Sequence, residues 1–289
     1  MSFSSFFSWQ RLAGNRRLFL LCLFLFIVSC AFSFWIFFPA DVVQRRLLQE
    51  LSKRTDIEMR GDNATLLLPL GLKVDLFIYP NRRGLADFKL GNLQMTPVWS
   101  RLLSADPAIK LNGRLASGVL SGEGDQKGDI LLSLENVAIL DLQQASLPYR
   151  ISGALSGEFR GNGMADELTS HGEFTFVLKD SAILGLEKLG LPGRLAVGTL
   201  RLAGRFNQRR FSFEKVVLSG GALDLSGGGN ILVGETPQQT RLNLNIRLQP
   251  TASTSELLQD MLKLTGVRPT TDGSYLMKIG GTLAKPSIR

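Results

Sequence analysis

Residues 18–40 (LFLLCLFLFIVSCAFSFWIFFPA) run for 23 positions without a charge, and Arg11, Arg16 and Arg17 lie just before them. At 1.5 Å per residue a helix over this run measures about 34 Å, enough to cross the roughly 30 Å hydrocarbon core of a bilayer. No other stretch of the chain stays uncharged for so long. The expectation is a cytoplasmic tail over 1–17, a membrane anchor over 18–40 and the bulk of the chain on the far side. The tail carries three cations and no acid, so the positive-inside rule fixes that orientation. In a bacterial inner membrane the bulk is then periplasmic. Leu18, Trp35 and Phe38 mark the anchor, and Trp9 and Trp35 fall near its two interfaces, where indole rings are favoured. A cleavable signal peptide fits less well, since its apolar core runs about 7–15 residues and ends in small ones. Here Phe34, Trp35, Phe37 and Phe38 stand in that place. Ile27-Val28-Ser29-Cys30 leaves a lipobox reading open, with Cys30 as a lipidated terminus, although the apolar run continues beyond it to Phe38.

Past the anchor the composition changes. Ten of the 18 phenylalanines fall within the first 40 residues, whereas 29 of the 30 glycines fall after residue 60. Glycine there reaches about 13% against a usual ~7%, which reads as many short strands joined by tight turns. The net charge of +8 divides as +4 over 1–60 and +4 over the remainder. No basic run interleaves with stacking aromatics, so nucleic acid is not an expected partner; inner-membrane lipid headgroups are. Both cysteines, Cys22 and Cys30, sit inside the apolar run, so the exported part has no disulfide and must be held by strand pairing and packing.

Periodicity sets out the remainder. Within 41–56, Val43, Leu47, Leu48 and Leu51 share one side, and Arg45, Arg46, Gln49 and Lys53 share the other. That pattern is an amphipathic helix, either packed on its own sheet, capping a sheet edge or lying at headgroup level. From 57 to 289 a period of two dominates. In TRLNLNIRL (240–248), Leu242, Leu244, Ile246 and Leu248 oppose Arg241, Asn243, Asn245 and Arg247; Phe174, Phe176 and Leu178 repeat the alternation. Further strands are expected over 72–79, 85–95, 109–120, 129–135, 149–160, 194–206, 210–218, 229–234 and 274–283, about twelve in all, joined as an antiparallel meander. Gly227-Gly228-Gly229 reads as a turn. Short helices are expected over 97–105 and over 253–265, where Ser253 and Glu256 form a capping box; 182–191 is ambiguous. Leu-Ser-Gly recurs at 120, 155, 218 and 225 without a fixed period, and such in-strand glycines suggest bulges that curve the sheet. The fold class is mainly β: a single N-terminal transmembrane helix, then a curved antiparallel sheet, half-barrel or sandwich, with few short helices.

Chemistry-bearing motifs are missing. The single histidine, His171, has no cysteine or histidine at metal-ligand spacing. The glycine clusters match neither G-x-G-x-x-G nor a phosphate loop, and Ser156 and Ser219 do not sit in a nucleophile elbow. Acids are scattered singly apart from Asp56 and Glu58. The expectation is no enzyme and no cofactor or metal.

The order of elements resembles a family. An apolar anchor is followed by FPADVVQRRLLQELSKRTDIEM, LPLGLKVDLFIYP (68–80), DFKLGNLQMTPVWSRLLSADPAIKLNGRLASGVLSGEG (87–124), ILLSLENVAILDL (130–142) and a closing YLMKIGGTLAKPSIR (275–289). This is similar to the GspN proteins of bacterial type II secretion systems and, more distantly, to the periplasmic part of AsmA-like proteins. The first resemblance implies a non-enzymatic inner-membrane component assisting export of folded proteins across the outer membrane, with other secretion subunits as partners. The second implies a lipid-binding or lipid-transfer protein with an apolar β groove, to which Phe174, Phe176, Leu242, Leu244 and Ile246 would contribute.

Overall fold

The computed structural model describes residues 16–37, 40–55, 58–67, 71–79, 87–102, 104–166, 168–189, 193–252, 254, 259–260 and 267–288. Two helices lead in, α1 (Arg16–Phe37) and α2 (Ala40–Thr55). The backbone at Arg16, Arg17, Leu18 and Trp35 belongs to α1, while Arg11 and Phe38 lie outside the described residues. Phe19, Leu20, Phe24 and Phe26 are all exposed, so the described part of α1 is apolar without regard to side. Counting only described side chains, the unbroken apolar stretch is 19–26, and no helix is long and apolar enough to cross a membrane.

α2 packs on the start of the sheet as its pattern requires. Leu48 joins the apolar cluster around Val74, Leu76, Leu90, Leu93, Leu115 and Val137, and Gln44 is buried while Arg45, Arg46, Gln49 and Lys53 face solvent. Ser52 Oγ accepts the Met59 N–H at 3.2 Å, which satisfies a donor on the outer edge of the first strand. The helix therefore caps an edge that would otherwise be open to pairing with another chain.

Fourteen strands follow: β1 (Glu58–Leu67), β2 (Gly71–Tyr79), β3 (Phe88–Pro97), β4 (Ala108–Leu115), β5 (Gly118–Asp125), β6 (Ile130–Ala138) and β7 (Arg150–Asn162). The second half comprises β8 (His171–Leu184), β9 (Arg194–Asn207), β10 (Arg210–Ser219), β11 (Leu223–Leu232), β12 (Arg241–Pro250), β13 (Tyr275–Thr282) and β14 (Lys285–Ile288). They form one antiparallel sheet in strict sequence order, with β1 and β14 at its two edges. The meander is as expected. A sandwich is not present among the described residues, because the strands make one layer and the sheet does not close on itself.

Several boundaries differ from the sequence reading for local physical reasons. The stretch expected as one strand over 109–120 is a hairpin, β4–β5, turned at Ala116, whose φ of 51° reverses the chain. Pro97 closes β3 instead of opening a helix, and α3 (Trp99–Leu102) is a single turn. Gly227-Gly228-Gly229 is not a turn but the middle of β11; a Cβ on Gly229 would lie 2.7 Å from the Leu244 Cα, so the close approach of β12 explains the glycine. The segment 182–191 divides into the end of β8 and a 3-10 turn at Leu186–Leu189. The pattern did not flag β1 or β14 as separate strands. The capping residues Ser253 and Glu256, and Asp56, lie outside the described residues.

The bulges of β1, β3 and β6 fall on asparagines, and others fall at Asp180 in β8, at Gly198 in β9 and between Phe213 and Val216 in β10, none on the Leu-Ser-Gly glycines. In β3 the register shifts between Gly91 and Gln94 with Asn92 at φ 51°, and in β6 between Leu134 and Val137 with Asn136 at φ 52°. Each left-handed residue inserts one extra position, so that Leu90 and Leu93, or Leu134 and Val137, stay on the same side although three apart. The displaced amides are captured by the neighbouring strand: Asn92 N–H donates to Asp75 Oδ1 at 2.8 Å, and Asn136 N–H to Ser156 Oγ at 2.9 Å.

The β3–β4 connection is clamped to the β5–β6 turn. Asp125, whose side chain is 3% exposed, accepts the Lys127 and Asp129 N–H groups at 3.0 Å each and the Arg101 guanidinium at 2.9 Å. The backbone amide of Asp129 first, with Arg101 and Lys127 adding to it, holds this carboxyl below its ordinary range. A carboxylate with a lowered folded pKa stabilises fully above its unfolded value of about 3.9 and loses that contribution as pH falls through the folded pKa. Asp125→Asn is therefore expected to lower the melting temperature near neutral pH, with the gap from the parent narrowing toward about pH 2. Thermal melts across that range check it; a gap that stays constant with pH would contradict the assignment.

Candidate functional site

Pairing in register places residues opposite one another on one face of the sheet, and here it sorts the chain cleanly. Phe176, Leu202, Val216, Gly227, Ile246 and Met277 form one row across β8–β13. Beside it run Phe159, Phe174, Gly204, Phe213, Gly229, Leu244 and Ile279. A third row holds Gly172, Phe206, Phe211, Ile231 and Leu242, and a fourth Leu155, Leu178, Leu200, Leu218, Leu225, Leu248 and Tyr275. The same face continues through β1–β7 into the cluster under α2. The other face carries Arg160, Glu173, Arg205, Ser212, Asn230 and Asn243 in a single row. One side of the sheet is thus apolar from end to end and the other is polar.

Phe174, Phe176, Leu242, Leu244 and Ile246, singled out from the sequence, all lie on the apolar face, in three adjacent rows. Alternation alone did not single out Phe159, Phe206, Phe211 and Phe213 as their neighbours, because membership depends on which strands pair. These rings touch across strands: Phe159 stacks on Phe206 with centroids 5.3 Å apart, Phe206 on Phe211 at 5.6 Å, and Phe213 meets Phe174 edge-on at 5.6 Å. Glycines make room for them. A Cβ on Gly204 would overlap the Ser212 carbonyl oxygen and sit 2.8 Å from Phe174 Cζ, and one on Gly172 would overlap the Arg160 carbonyl oxygen and sit 2.6 Å from Phe206 Cε1. Rings lying across bare backbone keep the face shallow and level.

Over β8–β12 most of these residues, including Phe176, Leu202, Leu244 and Ile246, are half-buried. Substantial contacts beyond sequential strand neighbours involve only α2 on β1 and the 3-10 turn Ile139–Leu142 on β7. Among the described residues no second layer lies over the middle of the sheet; toward its end, Val267 of the β12–β13 connection packs with Leu223 and Leu248 against Tyr275 and Met277. Its backbone polar groups are engaged in the ladder, so the face can bind apolar matter without offering directional partners. Where β7–β10 end, a cleft of about 860 Å³ is lined by Arg160, His171, Glu173, Arg205 and Glu214. Its charges pair off as Arg160–Glu173 at 3.1 Å and Arg205–Glu214, and His171 Nδ1 contacts the Thr169 carbonyl at 2.9 Å. No acid–base or nucleophilic pair emerges there. Among the described residues no group of three His, Cys, Asp or Glu side chains could hold a metal.

Comparison with protein-family models, with curated proteins and with solved structures finds no match.

The ring-over-glycine packing makes a direct prediction. Gly204→Val is expected to destabilise the chain by about 1–3 kcal/mol, the usual cost of overpacking, seen as a lower urea midpoint. Gly91→Val serves as a control for valine insertion into a strand away from this packing, since its position is open and its backbone is not left-handed; equal losses at both sites would mean that crowding at Gly204 is not the cause.

Proposed function

We propose that this chain is a membrane-anchored, non-catalytic trough whose apolar face shelters lipid acyl chains. One observation carries the proposal: among the described residues a single-layer sheet of fourteen strands keeps one face apolar and, over β8–β12 away from the Val267 cluster, without a second layer. At about 4.8 Å per strand the four intervals of β8–β12 extend roughly 19 Å, a contiguous apolar patch of the kind that marks an interaction site. Acyl chains suit such a face, being flexible, apolar and free of hydrogen-bonding demands. The supply is adjacent. The exposed apolar residues of α1 and the cations before them fit a single-pass anchor over 18–40, which would hold the sheet beside an inner membrane on the periplasmic side. The AsmA-like resemblance points the same way.

A second reading, accessory docking in type II secretion, rests on the GspN-like segments. Residues 87–124 correspond to β3–β5, and the closing I-G-G-T-L-x-x-P to the β13–β14 hairpin. The sheet edges favour it little as strand-pairing sites, since α2 covers part of β1, and β14 has four residues including Lys285 and Pro286.

The two readings separate by site-specific photo-crosslinking of the full chain in intact cells fed labelled phospholipid. Probes replacing Leu202 or Leu244 should acquire lipid label, and probes at Thr175 or Arg201 on the polar face should acquire little. Protein adducts alone at all four positions would sink the lipid proposal. Secretion subunits trapped from probes in 85–120 would favour docking.

A further inference from the structure

The hairpin turns β7–β8, β9–β10, β11–β12 and β13–β14 lie along one rim of the sheet, because alternate turns of a meander share a side. They are tied to one another. Gln208 N–H donates to the Ser170 carbonyl at 2.7 Å, Val233 N–H to the Arg209 carbonyl at 2.8 Å and Leu283 N–H to the Thr240 carbonyl at 2.9 Å. Gln208 Nε2 also donates to the Leu168 carbonyl at 2.7 Å. These tips form a connected row, and large apolar side chains stand out from it. Leu168 is 75% exposed, Leu283 54%, Leu232 41% and Val233 39%.

Cations alternate with these tips. Across β9–β14 the last polar-face row reads Asn207, Arg210, Leu232, Arg241, Thr282, Lys285. Arg210, Arg241 and Lys285 are therefore two strands apart, about 10 Å, all exposed and in no ion pair among the described residues. Between them, Leu168, Asn207, Gln208, Arg209, Arg210 and Leu232 line a notch of about 510 Å³. Among the described residues of these four turns the acids are Asp166, whose carboxylate holds the Leu168 N–H at 3.0 Å, and Glu235; Glu167 adjoins Asp166 in the sequence, and Asp129 of the β5–β6 turn accepts the Gly163 N–H at 3.1 Å. The wider field has the same sign as the cations. Residues 194–289 hold 13 basic and 6 acidic side chains, whereas 61–193 hold 12 and 15.

We infer that this rim is a second membrane-contact site, docking on the headgroups of an anionic phospholipid surface. The exposed leucines and Val233 enter the headgroup–acyl boundary while Arg210, Arg241 and Lys285 face phosphates, the combination that holds a protein on an interface without crossing it. A protein partner is the less economical occupant, since the tips are spaced projections set among cations, not a continuous apolar core. Docking here would bring the end of the apolar face to a bilayer. The site extends the trough reading but stands on separate residues.

The full chain, with Cys22 and Cys30 replaced by Ser, is reconstituted into vesicles of phosphatidylcholine alone or with phosphatidylglycerol. A polarity-sensitive nitrobenzoxadiazole label is placed at Leu283→Cys, and at Ser117→Cys on the opposite rim as a control. Emission from position 283 should shift to the blue only in phosphatidylglycerol vesicles, while position 117 stays water-like in both. Arg210→Gln, Arg241→Gln and Lys285→Gln should each lower the docked-to-free ratio roughly fivefold, on the order of a hundredfold together. Salt at about 1 M, where the Debye length is about 3 Å, should abolish the shift. A water-like signal at 283 in anionic vesicles overturns the inference and leaves the rim to a protein partner; a shift that ignores both vesicle charge and the three substitutions overturns it as well. Flotation with pure phosphatidylcholine vesicles tests the anchor independently, so failure of the rim and failure of the anchor are distinguishable.

Discussion

Register is the constraint on which this structure rests. Each strand is paired only with its neighbours in sequence, so among the described residues neither a second sheet nor a closing strand corrects a slip. A shift of one residue in any pair would exchange the faces of everything beyond it. The asparagine bulges keep the phase. Without the extra residue at Asn92, Leu93 and Met95 would point into solvent while Leu90 stayed on the apolar side. Asp75 and Ser156 make those bulges sustainable by accepting the amides that the ladder loses.

From register follows the two-sided character of the molecule. A sheet with one dry face ordinarily buries it against helices or another sheet. Among the described residues α2 covers the beginning and Val267 packs near the far end, and the stretch between depends on rings lying over glycines and on leucines flanking one another along the rows. This lateral packing leaves the side chains half-buried and the face level. It also accounts for glycine in strands where it brings no propensity: at Gly172 and Gly204 it accommodates both the adjoining backbone and a neighbouring ring. The polar face carries exposed ion pairs such as Arg160–Glu173, which add little stability but keep that side wetted.

The same arrangement ties folding to function. All ladder contacts are between consecutive strands, a topology with few distant pairings and correspondingly little loop entropy to overcome. The sheet can extend strand by strand without closing, which lets an apolar surface grow in one dimension. Its edges are blunted, β1 by α2 and β14 by brevity and proline, so that extension stops without inviting further strands. Among the described residues the middle of the face and one rim stay open, and these are the surfaces from which the functional proposals arise.

Much of this was legible from the chain alone. Strict alternation in 240–248 gave β12 nearly to the residue, and the fourfold spacing in 41–54 gave α2, because both are periodicities that local geometry imposes. The five apolar-face residues were named for the same reason. Reading failed where alternation broke. Leu134 and Val137, three apart, look out of phase until Asn136 is seen in a left-handed conformation, and the glycine triplet in β11 looks like a turn until β12 lies against it. Sequence by itself determined the apolar run at 18–40, the predominance of strands and the absence of catalytic motifs, since these depend on composition and short-range spacing. Only the tertiary structure decided that fourteen strands form a single open layer, that six phenylalanines from four strands meet on one face, and that distant turns align their cations along one rim. Those are products of pairing between segments, and no local pattern records which strand a residue will face.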